Sequence, residues 1–373
     1  MAAMIAASAV RSCLGDGPAT FGALLRGECG AGALRHGDPG KLGVSSGYHI
    51  GGDDPGQPFR ASRLLASCLA EAAGQAGLDP ARERVTALVG TGLRELSAVE
   101  SWALTGAGFS VRRLHFGDVV RAAVPGVTGV ITLSNACSAS GHALALAQDM
   151  VELGEADAVL VGGTDTMTQS MLAMIGRAAP DPADRVRPFD QHRGGVLLGE
   201  GAGAVVVAAA SRPGRPLARL AATGLSCDAG HETAPDIEGI CRAMTDALAR
   251  AGRRPAEVDL VIGHGTGTAL NDPAECEALR RVLLDEGGAP LVTGIKGAVG
   301  HTSGSAALLN LDVAVRCLAE GVVPPLTGHE VPLDEGAGLA FVTGGAAPLR
   351  PSLVQVNAFG FGGVNAVTLL EPA

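Results

Sequence analysis

The sequence predicts an α/β protein made of two related halves, residues 1–213 and 214–373. Short β-branched runs alternate with Ala/Leu-rich stretches along the chain, a pattern typical of helices layered on strands that are buried on both faces. A polar break at 211–216 separates two parts of comparable length. Each part contains a strand, a polar turn and a helix of small residues, and the segment beginning at Cys137 has a weak echo beginning at His301. A duplicated α/β unit is the simplest interpretation.

The individual elements follow from hydrophobic periodicity and from the turn residues that bound each run. We expect strands at 85–89, 129–133, 158–161, 204–208, 258–262, 291–294, 353–357 and 366–370. We expect helices at 62–77, 140–153, 237–251, 273–285 and 305–320. The apolar N-terminus has no basic residue before its apolar run, which favours a first strand over a signal peptide.

Composition excludes several classes of protein. With 373 residues, 47% of them hydrophobic and 18% charged, the chain can bury a large core. Because no apolar stretch is long enough to span a bilayer, we expect a cytosolic protein that does not enter membranes. The net charge of −10 argues against non-specific nucleic-acid binding. The eight cysteines and nine histidines lack metal-ligand spacing, so we expect free thiols and no metal site.

Cys137 stands between a predicted strand and a predicted helix, which makes it the first candidate for chemistry. A thiol at the start of a helix meets the positive end of the helix dipole and the free N–H groups of the first turn. Both favour the thiolate, the form that acts as a nucleophile. The alternative is that Cys137 is a small core residue, as free cysteines usually are. This segment alone leaves both interpretations open.

Three later segments place polar groups at strand ends, where α/β folds hold their ligands. The first presents His264 in a glycine turn, and the second presents Lys296 and His301 between a strand and a helix. The third is a glycine hairpin with Phe361 at its tip, which is either a tight turn or a source of backbone N–H groups for an oxyanion. The glycines form neither a Walker A loop nor a dinucleotide fingerprint, so we do not expect nucleotide binding.

Six ordered motifs resemble those of the elongating β-ketoacyl-carrier-protein synthases of the thiolase superfamily. The motifs are Asn135-Ala-Cys137-Ser; Arg187-Pro-Phe-Asp190 with Gly199-Glu-Gly-Ala-Gly203; Asp228-Ala-Gly-His-Glu-Thr-Ala-Pro235; His264-Gly-Thr-Gly-Thr268 with Asp272 and Glu275; Lys296 with Gly300-His301; and Asn357-Ala-Phe-Gly-Phe-Gly-Gly363 with Asn365. The resemblance covers nearly the whole chain. It implies a thiolase-like fold in which two related α/β halves form five layers, α-β-α-β-α.

The same resemblance implies a role for each matched residue. Cys137 is similar to the nucleophile that accepts an acyl chain, and His264 with His301 to the pair that binds the malonyl thioester carbonyl. Lys296 resembles a structural lysine that pairs with Glu275 and supports His301. The remaining expected site residues are the oxyanion and gating positions Phe361 and Gly362, the acyl-pocket or gating loop Asp228, His231 and Thr233, and the pantetheine-side hydroxyls of Thr266 and Thr268.

An acidic acyl carrier protein is the partner that the resemblance implies, with Arg60 and Arg63 at the docking position and Arg112 and Arg113 assisting. Alternatively, these arginines are only solvated surface. A dimer is also implied, either a homodimer or a heterodimer with a chain-length-factor-like subunit. No metal or organic cofactor is implied, because the phosphopantetheine arm arrives with the substrate.

Several positions depart from the family pattern. Gly194, Gly230, Gly297 and Val364 replace the expected acid, tyrosine, serine and threonine. These changes favour polyketide or modified fatty-acid synthesis over ordinary fatty-acid elongation. Three hypotheses remain: a decarboxylating condensation, an acyltransferase on the same fold that loses no carbon dioxide, and a non-catalytic subunit that measures chain length in a heterodimer. Retention of both histidines favours condensation. Retention of Cys137 argues against the non-catalytic subunit and is consistent with the active half of such a pair.

Overall fold

The computed structural model describes residues 2–52, 54–178 and 183–373. Its strands are β1 (Ala3–Ser12), β2 (Gly15–Asp16), β3 (Gly32–Ala33), β4 (Ser46–Gly47), β5 (Val85–Gly90), β6 (Gly129–Leu133), β7 (Ala158–Asp165), β8 (Gly201–Ala209), β9 (Ala218–Cys227), β10 (Leu260–Ile262), β11 (Leu291–Thr293), β12 (Val322–Val323), β13 (Ala340–Phe341), β14 (Ala347–Pro348), β15 (Val354–Gly360) and β16 (Val364–Glu371). Its α-helices are α1 (Gly17–Leu25), α2 (Pro39–Leu42), α3 (Arg60–Ala76), α4 (Leu96–Thr105), α5 (Gly117–Ala123), α6 (Ala139–Glu152), α7 (Gln169–Ala178), α8 (Ile237–Ala251), α9 (Asn271–Leu279), α10 (Lys296–Val299) and α11 (Ala306–Glu320).

The strand order repeats from one half of the chain to the other. The first half runs β6-β5-β7-β8-β1, and the second runs β11-β10-β15-β16-β9, with β13 added beyond β11. In both halves the first two pairings are parallel and the last two are antiparallel. The two sets join where β1 pairs with β9 through Ala3, Met4 and Ile5. The duplication that the sequence suggested is therefore present in the topology.

The helices form three layers around these strands. Helix α3 packs on β1, β7 and β8, and α8 packs on β9 and β16. Between the two sets lie α6 and α11, which contact each other and strands of both halves. Small residues let α6 pack closely on the strands of the second half. A Cβ at Gly141 of α6 would lie only 2.7 Å from the Cβ of Ala366 in β16, too close for a larger residue. The arrangement is the expected α-β-α-β-α stack.

The residues that correspond between the two halves differ from those that the weak sequence similarity suggested. Short 3-10 turns, Ala136–Ser138 and Ser303–Ser305, precede α6 and α11 directly. The first residue of each turn is left-handed, with φ of 49° at Ala136 and 48° at Ser303. Gly304, and not His301, is thus the counterpart of Cys137.

Most predicted elements are present within a few residues of the expected bounds. The predicted helix 273–285 is α9 followed by a π-helical turn at Arg280–Leu284. The prediction missed β9, because its Ala, Thr and Gly residues lack the β-branched run that marked the other strands. Within the described residues, no helix has the length and apolarity needed to cross a membrane.

Candidate active site

Cys137 lies in the 3-10 turn that joins β6 to α6, as the sequence predicted for a strand-to-helix junction. The preceding Ala136 has a left-handed backbone, which costs an L-residue about 1–2 kcal/mol. The turn leaves the Cys137 side chain only partly buried. Such strain next to a reactive side chain persists only where the surrounding structure imposes it.

His301 faces Cys137 across the two halves. Its Nε2 lies 2.9 Å from Cys137 Sγ. The His301 backbone is fixed on both sides, because its N–H donates to Leu197 O at 2.9 Å and its carbonyl accepts from Gly199 N–H at 3.0 Å. Its Nδ1 is buried and has no hydrogen-bond partner in the described part of the chain. The contact with Cys137 alone bears on the His301 tautomer: a thiol S–H that donates to Nε2 leaves the ring proton on Nδ1.

His264 is the second imidazole of the site, and its ring meets that of His301 edge-on at 5.4 Å between centroids. Lys296 Nζ lies 3.2 Å from His264 Nδ1 and also donates to the His264 carbonyl. An ammonium has only donors, so Nδ1 is the acceptor and the ring proton is on Nε2. Lys296 thus makes His264 an N–H donor at the nitrogen facing away from it.

Two buried carboxylates hold the turn that carries His264. Glu275 accepts from the N–H groups of His264 at 2.7 Å and Gly265 at 2.8 Å, and from the Asn357 amide at 2.9 Å. Asp272 accepts from the N–H of Thr266 at 2.9 Å and from that of Gly267 at 3.0 Å. The predicted Lys296–Glu275 pair is not a direct contact among the described residues: the Lys296 ammonium reaches His264, while the charge of Glu275 acts on Lys296 at longer range and raises its pKa.

Burial governs the protonation states of the site. It raises the pKa of the Cys137 thiol to about 11, although the Lys296 charge and hydrogen bonds from the N–H groups of Phe361 and Cys137 act to lower it. The N–H groups at the helix start favour the thiolate, as expected from the sequence, but the loss of hydration on burial outweighs them. Burial and the Lys296 charge hold the pKa of His264 and of His301 well below the usual value. Burial also lowers the pKa of Lys296, to about 8.

The glycine hairpin between β15 and β16 brings Phe361 to the site. Phe361 is 48% exposed, and its N–H acts to lower the pKa of the Cys137 thiol. The next two residues have left-handed backbones, with φ of 84° at Gly362 and 74° at Gly363. The Gly362 N–H donates to Glu232 O at 2.9 Å, which ties the hairpin to a neighbouring loop.

That neighbouring loop contains the predicted gating residues. The Asp228 N–H donates to Gly363 O at 3.1 Å. His231 is exposed, and its Nδ1 accepts from the N–H groups of Thr233 at 3.1 Å and Ala234 at 3.0 Å. The loop is thus folded on itself and contacts the hairpin through Asp228. Its role in gating stays a prediction.

Thr266 and Thr268 follow His264 closely in the same turn. Their hydroxyl oxygens are 2.9 Å apart, and the Thr266 hydroxyl also donates to Asp272 at 3.3 Å. Thr266 is buried and Thr268 is partly exposed. Of the two, Thr268 is the one accessible to a ligand.

Arg60 is not a docking residue. Its side chain is 2% exposed and pairs with the buried Glu200 at 2.8 Å, while it also donates to Ile50 O at 2.7 Å. The position at the start of α3 suggested a surface charge, but the helix turns this side chain inward. Arg63 is exposed, donates to Gln57 Oε1 at 2.6 Å and lies in one surface pocket with Arg113, which stacks on Phe59.

The sequence analysis overlooked Asp165, a carboxylate at the end of β7. Its 1% exposed side chain accepts four hydrogen bonds: from the Thr91 hydroxyl at 2.8 Å and from the N–H groups of Gly92, Leu93 and Gly304 at 2.7, 2.9 and 2.6 Å. In the sequence, an acidic residue directly after Gly-Gly-Thr at the end of a predicted strand marks this position as a candidate. Among the described residues, no cluster of His, Cys, Asp or Glu is arranged to hold a metal ion.

Comparison with known proteins identifies the class to which this fold and site belong. The family model described as Beta-ketoacyl synthase, N-terminal domain, matches residues 59–212, and the one described as Beta-ketoacyl synthase, C-terminal domain, matches 217–330. Nodulation protein E of Rhizobium sp. (strain N33) is 33% identical over 83% of this chain and 81% of its own length. The chain belongs to the β-ketoacyl synthase family.

Other similarities are of the same kind. Nodulation protein E of Rhizobium meliloti is 37% identical over 64% of this chain, and the match spans only 60% of that relative. The 3-oxoacyl-[acyl-carrier-protein] synthase 2 of Coxiella burnetii is 34% identical over 65% of this chain and 61% of its own length. Among solved structures, "The ishigamide ketosynthase/chain length factor" matches with a TM-score of 0.89 and 28% identity, covering 100% of this chain and 99% of that one. The thiolase-like fold is confirmed.

Proposed function

We propose that this protein is a β-ketoacyl synthase that condenses a carrier-bound acyl chain with a malonyl-type carrier thioester, losing carbon dioxide. The observation that carries the proposal is the contact of Cys137 Sγ with His301 Nε2 at 2.9 Å, beside a second imidazole that Lys296 holds as an N–H donor. The family name and the carrier named in the Coxiella relative support it. The departures from the family pattern support a polyketide or modified fatty acid as product.

In the first half-reaction the Cys137 sulfur attacks the acyl-carrier thioester. The S–C bond to Cys137 forms, the carrier S–C bond breaks, and the thiol proton passes through neutral His301 to the departing carrier thiolate. Because the pKa of the Cys137 thiol is raised by burial, a base in contact is needed at neutral pH. We expect the oxyanion to accept hydrogen bonds from the N–H groups of Cys137 and Phe361, both of which act to lower the pKa of the Cys137 thiol.

In the second half-reaction the malonyl thioester loses carbon dioxide. The electron pair of the broken C–C bond becomes an enolate, whose oxygen accepts from the Nε2–H groups of His264 and His301. The unpartnered Nδ1 of His301 permits the tautomer that places its proton on Nε2. The enolate carbon then attacks the acyl-Cys137 carbonyl, the C–S bond breaks, and the β-ketoacyl chain leaves on the carrier. The Cys137 thiolate takes up one proton from solvent through His301.

An acyltransferase that loses no carbon dioxide is the alternative on the same fold. It would need the nucleophile, one base and the oxyanion donors, and so would make no use of His264. The buried Lys296 and Glu275 both serve to fix His264. Two buried charged residues that fix a second imidazole favour condensation, the reaction that uses it.

Intact-mass spectrometry with acyl-carrier and then malonyl-carrier tests the proposal. We expect an acyl adduct on the wild type, none on Cys137→Ala, and its discharge by malonyl-carrier into a β-ketoacyl product with carbon dioxide. Cys241→Ala, a partly buried cysteine outside the site, is the matched control and should load normally. An adduct inert to malonyl-carrier but discharged by an alcohol or amine would make the protein an acyltransferase.

We further propose an acidic acyl carrier protein as the partner, docked over Arg63, Arg112 and Arg113. These three side chains are exposed and lie around the start of α3. Replacing Arg63 and Arg113 by Glu should slow acyl transfer from the carrier while sparing a small thioester such as an acyl-N-acetylcysteamine. Equal loss with both donors would exclude this docking surface. No metal or organic cofactor enters this scheme, since the carrier brings the phosphopantetheine arm.

A further inference from the structure

We propose that Asp165 is a positioning residue for the condensation, which fixes the His301 loop against the first half of the molecule. This inference rests on the proposed function, because it concerns the step in which His301 acts. It starts from the four hydrogen bonds to one carboxylate. Three come from the loop after β5 in the first half, and the fourth comes from Gly304 N–H in the second half.

The correspondence between the two halves identifies the residues of the first half that Asp165 and Gly304 resemble. Gly304 is the counterpart of Cys137, and each follows a left-handed residue that turns the chain into a helix. The end of β7, where Asp165 lies, is the counterpart of the end of β15, which leads into Phe361. In one half the turn carries Cys137 and adjoins the Phe361 hairpin, and in the other the corresponding turn donates the Gly304 N–H to the Asp165 carboxylate. Asp165 thus occupies the duplicate of the oxyanion site.

The consequence concerns His301. A functional histidine is usually oriented by a hydrogen bond at its second nitrogen, but His301 Nδ1 has no partner in the described structure. Its orientation therefore depends on its backbone, which is held by residues 197–199 on one side and by the Gly304–Asp165 bond on the other. Between these points lies Ser303, whose left-handed backbone needs an external restraint.

Electrostatics distinguishes this role from activation of the nucleophile. The charge of Asp165 acts to raise the pKa of Cys137, so it opposes thiolate formation. Loss of the charge should leave Cys137 at least as reactive toward an alkylating agent. Loss of the anchor should at the same time misplace His301, and a misplacement of about 1 Å can reduce a rate by about a hundredfold.

Asp165→Asn tests the proposal. An amide places donors where the carboxylate only accepts, so it cannot satisfy all four partners. We expect carbon dioxide release from malonyl-carrier to fall at least tenfold, with alkylation of Cys137 by iodoacetamide no slower than in the wild type. Asp312→Asn is the control, because Asp312 is also buried but binds Ser8 and Arg316 away from the site; it should lower stability without changing the ratio of the two rates.

The outcomes separate this inference from the proposed function. A wild type that releases no carbon dioxide contradicts the proposed function itself. A wild type that does, with an Asp165→Asn variant that matches it or loses both rates equally, contradicts the role of Asp165 alone. If Asp165→Asn does not fold, Thr91→Val removes one of the four hydrogen bonds; a fall in carbon dioxide release at unchanged alkylation supports the proposal, and no change overturns it.

Discussion

Lys296 acts on His264 and on Cys137, the two groups on whose protonation the reaction depends. It donates to His264 Nδ1, and its charge lowers the pKa of Cys137 against the effect of burial. Lys296→Met should therefore reduce carbon dioxide release by about ten- to a hundredfold, the range typical of losing an orienting partner. It should also slow alkylation of Cys137. Lys41→Met, at an exposed lysine, should change neither rate, and an unaltered release rate in Lys296→Met would contradict the tautomer assignment.

Carbon dioxide release and alkylation of Cys137 should depend on pH in opposite directions. Burial lowers the pKa of Lys296 to about 8, so its charge is lost as the pH rises through that value and the hydrogen bond to His264 weakens. The pKa of Cys137 is raised to about 11, so thiolate formation increases over the same range. From pH 6 to 10 we expect carbon dioxide release to decline above about pH 8 while Cys137 alkylation rises. Parallel profiles would exclude this division of roles.

Helix α10 carries Lys296, and its second residue has to be glycine in this structure. A Cβ at Gly297 would overlap the carbonyl of Thr327, whereas a Cβ at Gly294 would meet its nearest neighbour at 3.5 Å. The glycine at 297, where the family pattern has serine, thus fits the close packing against Thr327. Gly297→Ala should reduce the free energy of unfolding by about 1–3 kcal/mol, as overpacking does. Gly294→Ala should stay near the wild type in the same urea titration; equal losses would refute the packing argument.

The hairpin from β15 to β16 offers a second glycine comparison. Gly362 and Gly363 both have positive φ, so alanine at either costs a similar backbone strain. Only at Gly363 would a Cβ overlap the Asp228 carboxylate, while the space around Gly362 is open. Gly363→Ala should reduce condensation about tenfold more than Gly362→Ala, measured as β-ketoacyl product formed. A larger effect at Gly362 would mean that Asp228 does not position the hairpin.

Features of the site that depend on residues close in sequence could be predicted, whereas those that depend on distant residues could not. Strand ends, glycine turns and the helix after Cys137 are encoded by neighbouring residues, and these predictions were confirmed. The contact of Cys137 with His301 joins residues 164 apart in sequence, and only the family resemblance suggested it. The prediction that Arg60 is a surface residue was wrong for a related reason, because its buried partner Glu200 is 140 residues away in sequence. The raised pKa of Cys137 depends on burial by the whole fold, which no local pattern reports.

At the scale of the molecule, β6 is an open edge. Within the described residues it pairs with β5 alone, and Ile131 at its centre is 46% exposed. Val111 is the first residue of a 3-10 turn, Val111–His115, whose last residue accepts a hydrogen bond from Thr132 of β6, and it is 66% exposed. An unpaired edge strand presents free backbone groups to which a second chain can add, and exposed apolar side chains mark such surfaces. If the protein is a dimer, as the resemblance implies, we propose that a second subunit pairs along this edge.

Charge at this edge should prevent that association. A lysine at Ile131 would have to be buried against the partner without a counter-ion, at a cost of several kcal/mol. Analytical ultracentrifugation should therefore show a dimer for the wild type and a monomer for Ile131→Lys. Leu153→Lys, at a 74% exposed leucine on the far end of α6, should remain dimeric. A wild type that is monomeric alone but pairs with a chain-length-factor-like subunit would select the heterodimer, and a dimer that survives Ile131→Lys would place the interface elsewhere.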